Sequence, residues 1–205
     1  MAFETSSAGS ALVTAGPSPT APIPVKIVIA GGFGVGKTTM VGAISEISPL
    51  STEAAMTAVG ASVDDSSMVS TKTTTTVAMD FGRITIGNRI VLYLFGTPGQ
   101  DRFGFMWDDL VQGALGAVVL VDSRRIEDSF PALDYFEQRK VPFIVAVNMF
   151  ESSLYHDLEA VREALNVDSD TPLVATDARS RQHVKDTLIA LLERVIHIAV
   201  EKGRG

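Results

Sequence analysis

Ile27-Val28-Ile29-Ala30-Gly31-Gly32-Phe33-Gly34-Val35-Gly36-Lys37-Thr38-Thr39 joins a strand to a helix through a run of glycines. An apolar, β-branched run stops at a glycine-rich turn, and Lys-Thr-Thr then opens a helix. Gly31, Gly36, Lys37 and Thr38 occupy every fixed position of the phosphate-loop pattern G-x-x-x-x-G-K-[ST]. The spacing has a physical reason. Glycines let backbone N–H groups curl round an anion, and a helix N-terminus adds partial positive charge. Lys37 then reaches β- and γ-phosphates, and the Thr38 hydroxyl ligates Mg²⁺. Phe33, Gly34, Val35 and Thr39 fall within the same cradle. The competing reading is a glycine-rich strand–helix turn that binds nothing. The strand before the loop and the helix after it both speak against that.

Outward from the loop, strands and helices alternate. Val25–Ala30 reads as a buried strand, and Thr38 to about Ile47 as a helix ended by Ser48-Pro49. Leu50 to Thr75 has no clear period, and an unstructured stretch of that length is either functional or disordered. Val77–Ile86 and Arg89–Phe95 read as strands joined by a Gly87-Asn88 hairpin turn. Gly96–Gly99 breaks the second strand, and an irregular helix is expected over Arg102–Val111. Ala117–Val121, Phe143–Val147 and Pro172–Ala175 complete the strands. Ile126–Arg139, Leu154–Leu165 and Val184–Val200 complete the helices. The pattern predicts a three-layer α/β fold with a mostly parallel six-stranded sheet and one antiparallel edge strand.

Composition narrows the partners. The chain has 46% hydrophobic and 20% charged residues, the balance of a globular domain. A net charge of −7 argues against sequence-independent nucleic-acid binding. Without cysteine, disulfides, thiol catalysis and Cys-based zinc sites are excluded, and a cytoplasmic location is expected. No apolar run reaches membrane-spanning length, so direct membrane insertion is not expected. Residues 1–24 are rich in Ala, Ser, Thr, Gly and Pro and read as a disordered tail without signal or lipidation features. Residues 25–201 read as the single domain. His156, His183 and His197 are too scattered for a metal cluster.

Four later segments carry a resemblance. Gly96-Thr97-Pro98-Gly99-Gln100 resembles the D-x-x-G-Q element of Ras-like GTPases. Thr76-Val77-Ala78-Met79-Asp80-Phe81 resembles their T-I-G-V-D-F. Asn148-Met149-Phe150-Glu151 stands at the guanine-reading N-K-x-D position, and Asp177-Ala178-Arg179 where the family has S-A-K. In order and spacing the chain resembles prokaryotic Ras-like small GTPases of the actinobacterial conservon D-protein type, which are related to the gliding-motility GTPase MglA. The resemblance implies a Ras-like P-loop fold, GTP and GDP as ligands, Mg²⁺ as cofactor, and GTP hydrolysis serving a signalling switch, which Phe33 in the loop is expected to keep slow. It also implies a roadblock/LC7-type regulator, a sensor-kinase complex, and recruitment to the inner membrane face through partners. Residue by residue, it gives Gly99 to the γ-phosphate, Gln100 to the attacking water, and Thr76 to Mg²⁺ and catalysis beside Lys37. Asn148, Glu151, Asp177, Ala178 and Arg179 go to the base.

The departures are informative. Gly96 stands where the family has an Mg²⁺-site Asp, and Asp80 on the neighbouring strand is the candidate substitute; its alternative is an exposed strand acid. Phe33 replaces a small glycine near the γ-phosphate. It either obstructs an arginine finger or packs harmlessly. Met149 replaces the lysine that stacks on the base. Phe103, Phe105, Met106 and Trp107 form an apolar cluster that reads as a partner surface with Trp107 as anchor; for Phe105 and Met106 the alternative is burial against the next helix. Asp108-Asp109 read as a solvated helix face. Two rival functions remain: a pseudo-GTPase interaction module that binds nucleotide without turnover, and a MinD-type ATPase suggested by Gly34-Val35-Gly36-Lys37-Thr38-Thr39.

Overall fold

The computed structural model describes residues 21–48, 50–56, 75–99, 106–150 and 157–203. Twelve strands and helices follow in chain order: β1 (Ile23–Ala30), α1 (Lys37–Ile44), β2 (Leu50–Met56), β3 (Thr75–Ile86), β4 (Ile90–Gly96), α2 (Trp107–Val111), β5 (Gly116–Val121), α3 (Phe130–Arg139), β6 (Phe143–Asn148), α4 (Leu158–Leu165), β7 (Leu173–Thr176) and α5 (Arg181–Lys202). A 3-10 turn, Ile126–Ser129, leads into α3. The strands form one seven-stranded sheet in the order β2-β3-β4-β1-β5-β6-β7.

The three-layer α/β arrangement is the expected one, and β3 alone runs against the other strands. Two details differ. Leu50–Met56, expected to be without regular structure, pairs antiparallel with β3, so β3 is covered and does not form the sheet edge. The hairpin between β3 and β4 spends three residues on its turn, Gly87 taking a left-handed φ of 55° and Ile86 facing Ile90. β1 also begins earlier than read, taking in Ile23 and Pro24, with the Ile23 N–H donating to the Arg89 carbonyl at 2.7 Å.

β5 and β6 are buried along their whole length, which their unbroken apolar sequence demands of strands covered on both faces. One face packs Ile27, Ile29, Leu94 and Leu120 against Met40 and Val41 of α1 and Leu188 and Leu191 of α5. The other packs Val28, Val119 and Val145 against Trp107, Leu133, Phe136 and Val161. Each fully buried Leu or Phe contributes about 1.5–3 kcal/mol. Trp107 therefore belongs to the core and is no exposed anchor: it is 8% exposed, edge-on to Tyr135 and stacked with Phe136. Phe103 and Phe105 lie outside the described residues; Met106 is half-buried. Asp108 is tied rather than merely solvated, accepting from the Tyr135 hydroxyl at 2.6 Å and pairing with Arg139 at 2.8 Å.

β1 is flanked by β4 and β5, and the chain reaches these neighbours on opposite sides. That reversal opens a crevice at the carboxyl ends of the strands, where an open α/β sheet holds its ligands. Residues 31–36, 97–99, 122–125, 148 and 177–179 all follow carboxyl ends of strands and converge there.

Candidate functional site

The loop after β1 takes its shape from its glycines. Gly31, Gly34 and Gly36 have φ of 135°, 74° and 108°, in the region side chains avoid. Two of them also have no room for one. A Cβ on Gly31 would lie 2.4 Å from the Leu120 carbonyl oxygen, and one on Gly36 2.7 Å from Asn148 Nδ2. Lys37 opens α1 with Gly36 as its N-cap, and its buried ammonium donates to the Gly31 and Gly32 carbonyls at 2.8 and 2.7 Å. Burial pulls that ammonium down to about 8, against an opposing pull from the Asp80 carboxylate. A cavity of about 400 Å³ opens over Lys37, Thr38 and Thr39, walled by Phe33, Asp80 and Thr97–Gly99. Phe33 stands at the loop tip, 67% exposed.

Across this cavity lies the substitution at Gly96. Asp80 and Gly96 face each other in the β3–β4 register. A Cβ on Gly96 would come within 3.0 Å of both Cβ and Oδ2 of Asp80, so the missing side chain makes space for the neighbouring carboxylate. Asp80 uses that space: the Thr38 hydroxyl donates to its Oδ2 at 2.7 Å. Thr97 adjoins the cavity, and its hydroxyl is buried with no hydrogen-bond partner among the described residues. The Thr38 hydroxyl and the Asp80 carboxylate are hard oxygen donors side by side, and they fit an ion that keeps several waters, as Mg²⁺ does. Among the described residues no three His, Cys, Asp or Glu side chains converge, so such an ion would take most ligands from phosphate and water. Thr76 lies in β3, opposite Ala55 of β2, with no description of its side chain.

Asn148 ends β6 and ties three segments together. Its buried side chain donates from Nδ2 to the Val35 carbonyl at 2.9 Å and accepts at Oδ1 from the Ala178 N–H at 3.0 Å. The Met149 N–H donates to the Thr176 carbonyl at 2.7 Å, so the ends of β6 and β7 stay in step. Asp177 and Arg179 form a two-pronged pair at 2.9 and 3.0 Å, which holds the Asp177 carboxyl below its usual range. Gly99 closes the far wall: a Cβ there would lie 2.7 Å from Lys37 Nζ and 2.8 Å from Phe33 Cα. Gln100 and Glu151 lie outside the described residues.

Sequence reading missed the turn after β5. Asp122, 4% exposed, is gripped by Arg124 through Nε and Nη2, both at 2.9 Å. These bonds keep the Asp122 carboxyl below its ordinary range. Arg124 also lies over the Phe150 ring, at 4.2 Å. Arg125 reaches the phosphate loop itself, donating from Nη2 to the Phe33 carbonyl at 3.2 Å. No motif signals this turn; only its position at the carboxyl end of a buried strand could have flagged it.

Residues 29–198, from the end of β1 almost to the end of α5, match the family described as conserved hypothetical ATP binding protein. The chain belongs to that family. This family member is 29% identical over 126 residues to the uncharacterized protein MJ1339 of Methanocaldococcus jannaschii, covering 60% of this chain and 69% of that protein. Its fold is similar to the FeoB G-domain of Methanococcus jannaschii, with a TM-score of 0.55 and 14% identity over 84% of this chain and 97% of that one. It is similar also to the cytosolic domain of the T. maritima FeoB iron transporter in a GDP form, with a TM-score of 0.59 and 18% identity over 85% of this chain and 64% of that one. At such identities the likeness is one of fold: this member of the ATP-binding family has a P-loop GTPase-like α/β fold. Among its described residues no helix is long and apolar enough to cross a membrane.

Proposed function

We propose that this chain, over residues 25–201, is a small guanine-nucleotide switch that hydrolyses GTP slowly with Mg²⁺ as cofactor. The observation that carries the reading is Asn148, whose single amide links the phosphate-loop carbonyl of Val35 to the N–H of Ala178. That link joins the phosphate end of the crevice to the segment assigned to the base. Asp177 and Arg179 would flank the base, and Glu151 would accept from guanine N1–H and N2–H. Adenine would leave that carboxylate unpaired, which is the physical basis for preferring GTP despite the family's description.

Gly31, Gly34, Val35, Gly36, Thr39 and Gly99 would offer backbone N–H groups to the phosphates, with Lys37 on the β- and γ-oxygens. Thr38, Thr76 and Asp80 would hold Mg²⁺, which when bound neutralises charge on the β- and γ-phosphates. Gln100 would orient the water. Water adds to the γ-phosphorus, the bond to the bridging oxygen breaks, GDP keeps that oxygen, and the proton ends on inorganic phosphate. Resemblance alone supports a conservon-type signalling role with a roadblock/LC7-type regulator and a sensor kinase. The same resemblance supports a cytoplasmic location with partner-driven recruitment to the membrane face.

The test is calorimetric titration with GTP, GDP and ATP in Mg²⁺, followed by single-turnover hydrolysis against a Lys37→Ala control. The reading expects GTP and GDP to bind more tightly than ATP, and phosphate release above the control. Tighter ATP binding would remove the guanine assignment. A second reading is favoured by Gly96 and by the exposure of Phe33 at the loop tip: a pseudo-GTPase that binds nucleotide and does not turn it over. Binding with phosphate release no faster than the control would establish it.

A further inference from the structure

We propose that Arg125 is a catalytic arginine which this chain supplies to its own triphosphate. The inference rests on the GTP reading above. Arg125 lies in the turn after β5, beside the loop rather than within it. Its Nη2 donates to the Phe33 carbonyl at 3.2 Å, and it is the nearest atom, at 3.7 Å, to where a Gly34 Cβ would sit. The guanidinium thus lies over the Phe33–Gly34 tip. The same Phe33 backbone adjoins Gly99, and Gly99 adjoins the Lys37 ammonium. A terminal phosphate held by Lys37 would therefore be bounded by the tip that Arg125 covers.

Two arginines stand in this turn, and their bonding differs. Arg124 grips the buried Asp122 with two bonds of 2.9 Å and is the structural brace. Arg125 shares out its charge over long contacts: 3.4 Å to Asp122, 3.3 Å to the exposed Asp128, and the Phe33 carbonyl. Its side chain is 44% exposed. Its pair with Asp128 is exposed on both sides and contributes little, and the buried Asp122 keeps the two shorter bonds of Arg124 when Arg125 turns to a better anion. A γ-phosphate whose bridging bond is loosening is such an anion, and the planar fork of N–H donors matches its oxygens. Phe33 explains why the arginine comes from within: a bulky, exposed ring at the tip crowds an arginine arriving from a partner, whereas Arg125 is already seated.

The experiment uses the full chain without any partner. It measures GDP affinity, single-turnover GTP hydrolysis, and retention of GDP with aluminium fluoride, for wild type, Arg125→Ala and Arg125→Lys. Arg125→Ala is expected to slow hydrolysis by about 100-fold or more, within reach of the 10³–10⁵ ascribed to such arginines. It should abolish fluoride retention, leave GDP affinity within about threefold of wild type, and regain rate when millimolar guanidinium is added, because a free guanidinium can stand in for the missing group. Arg125→Lys should stay slow, since an ammonium lacks the fork. Hydrolysis by Arg125→Ala at the wild-type rate would overturn the proposal. Loss of GDP binding in that variant would overturn it too, by showing a structural role. A wild-type chain that binds GTP and neither hydrolyses it nor retains the fluoride would overturn it while leaving the binding reading intact. No nucleotide binding by wild type would end both.

Discussion

At the scale of single residues, the site is governed by which positions lack a Cβ. Gly36 cannot take one, because its φ is 108° and Asn148 Nδ2 stands 2.7 Å from the place. Gly36→Ala should cost about 1–3 kcal/mol from backbone strain alone. Urea unfolding should show the loss, and GTP titration a binding defect larger than stability explains. Gly96 is the converse case, where a side chain would crowd the Asp80 carboxylate across the β3–β4 register. Gly96→Asp would put a Cβ 3.0 Å from Asp80 Oδ2 and so crowd a second carboxylate against the first. Asp80→Ala and Gly96→Asp should each weaken the magnesium dependence of GDP release, and the double variant Asp80→Gly/Gly96→Asp should recover part of it. A double variant no better than the singles would show that Asp80 does not stand in for the absent carboxylate. The candidate role of Asp80 was legible because it lies four residues after Thr76 on the strand beside Gly96. Arg125 was not legible, since an arginine pair after an apolar strand has no spacing rule; only where β5 meets the loop does Arg125 come against the Phe33 carbonyl.

At the scale of elements, the strong apolar runs could be read directly. β5, β6 and Ile27–Ala30 of β1 are buried on both faces, and their sequences show it without periodicity arguments. β2 could not be read, because Leu-Ser-Thr-Glu-Ala-Ala-Met neither alternates nor stays apolar; its partner β3 imposes the pairing. Trp107 was misleading for a related reason: its aromatic neighbours in sequence suggested a surface cluster, while the covering residues, Tyr135 and Phe136, come from α3. The α2–α3 contact carries a pH signature. Burial, then the hydrogen bond to Asp108, pushes the Tyr135 phenol up to about 12. An unfolded tyrosine ionises near pH 10. This contribution to stability is therefore complete below pH 10 and is lost as pH rises toward 12. Ultraviolet titration should find one tyrosine late, and Asp108→Ala should bring it earlier. Asn148→Ala tests the coupling of β6 to the loop. It strands the Val35 carbonyl and the Ala178 N–H, so a loss of about 1–3 kcal/mol is expected in urea unfolding, with weaker nucleotide binding.

At the scale of the whole molecule, the site belongs to no single element. Its parts lie at the ends of β1, β4, β5, β6 and β7, five neighbouring strands that run the same way and hold both halves of the core together. A ligand bound there grips the folded state across the full width of the parallel sheet, and unfolding must release it. Stabilisation by a ligand follows RT ln(1 + [L]/Kd), about 4.1 kcal/mol at a thousandfold excess over Kd. For a domain of this size each kcal/mol moves the melting temperature by about 2–4 °C. GTP with Mg²⁺ at that excess should therefore raise the melting temperature by about 8–16 °C, GDP comparably at its own thousandfold excess, and ATP at the same concentration by less. Lys37→Ala should abolish the shift without removing the transition, because the ammonium's bonds run to loop carbonyls and not into the core. Differential scanning calorimetry decides it. An equal shift from ATP and GTP would show that Asn148 and its neighbours hold the loop together without choosing the base.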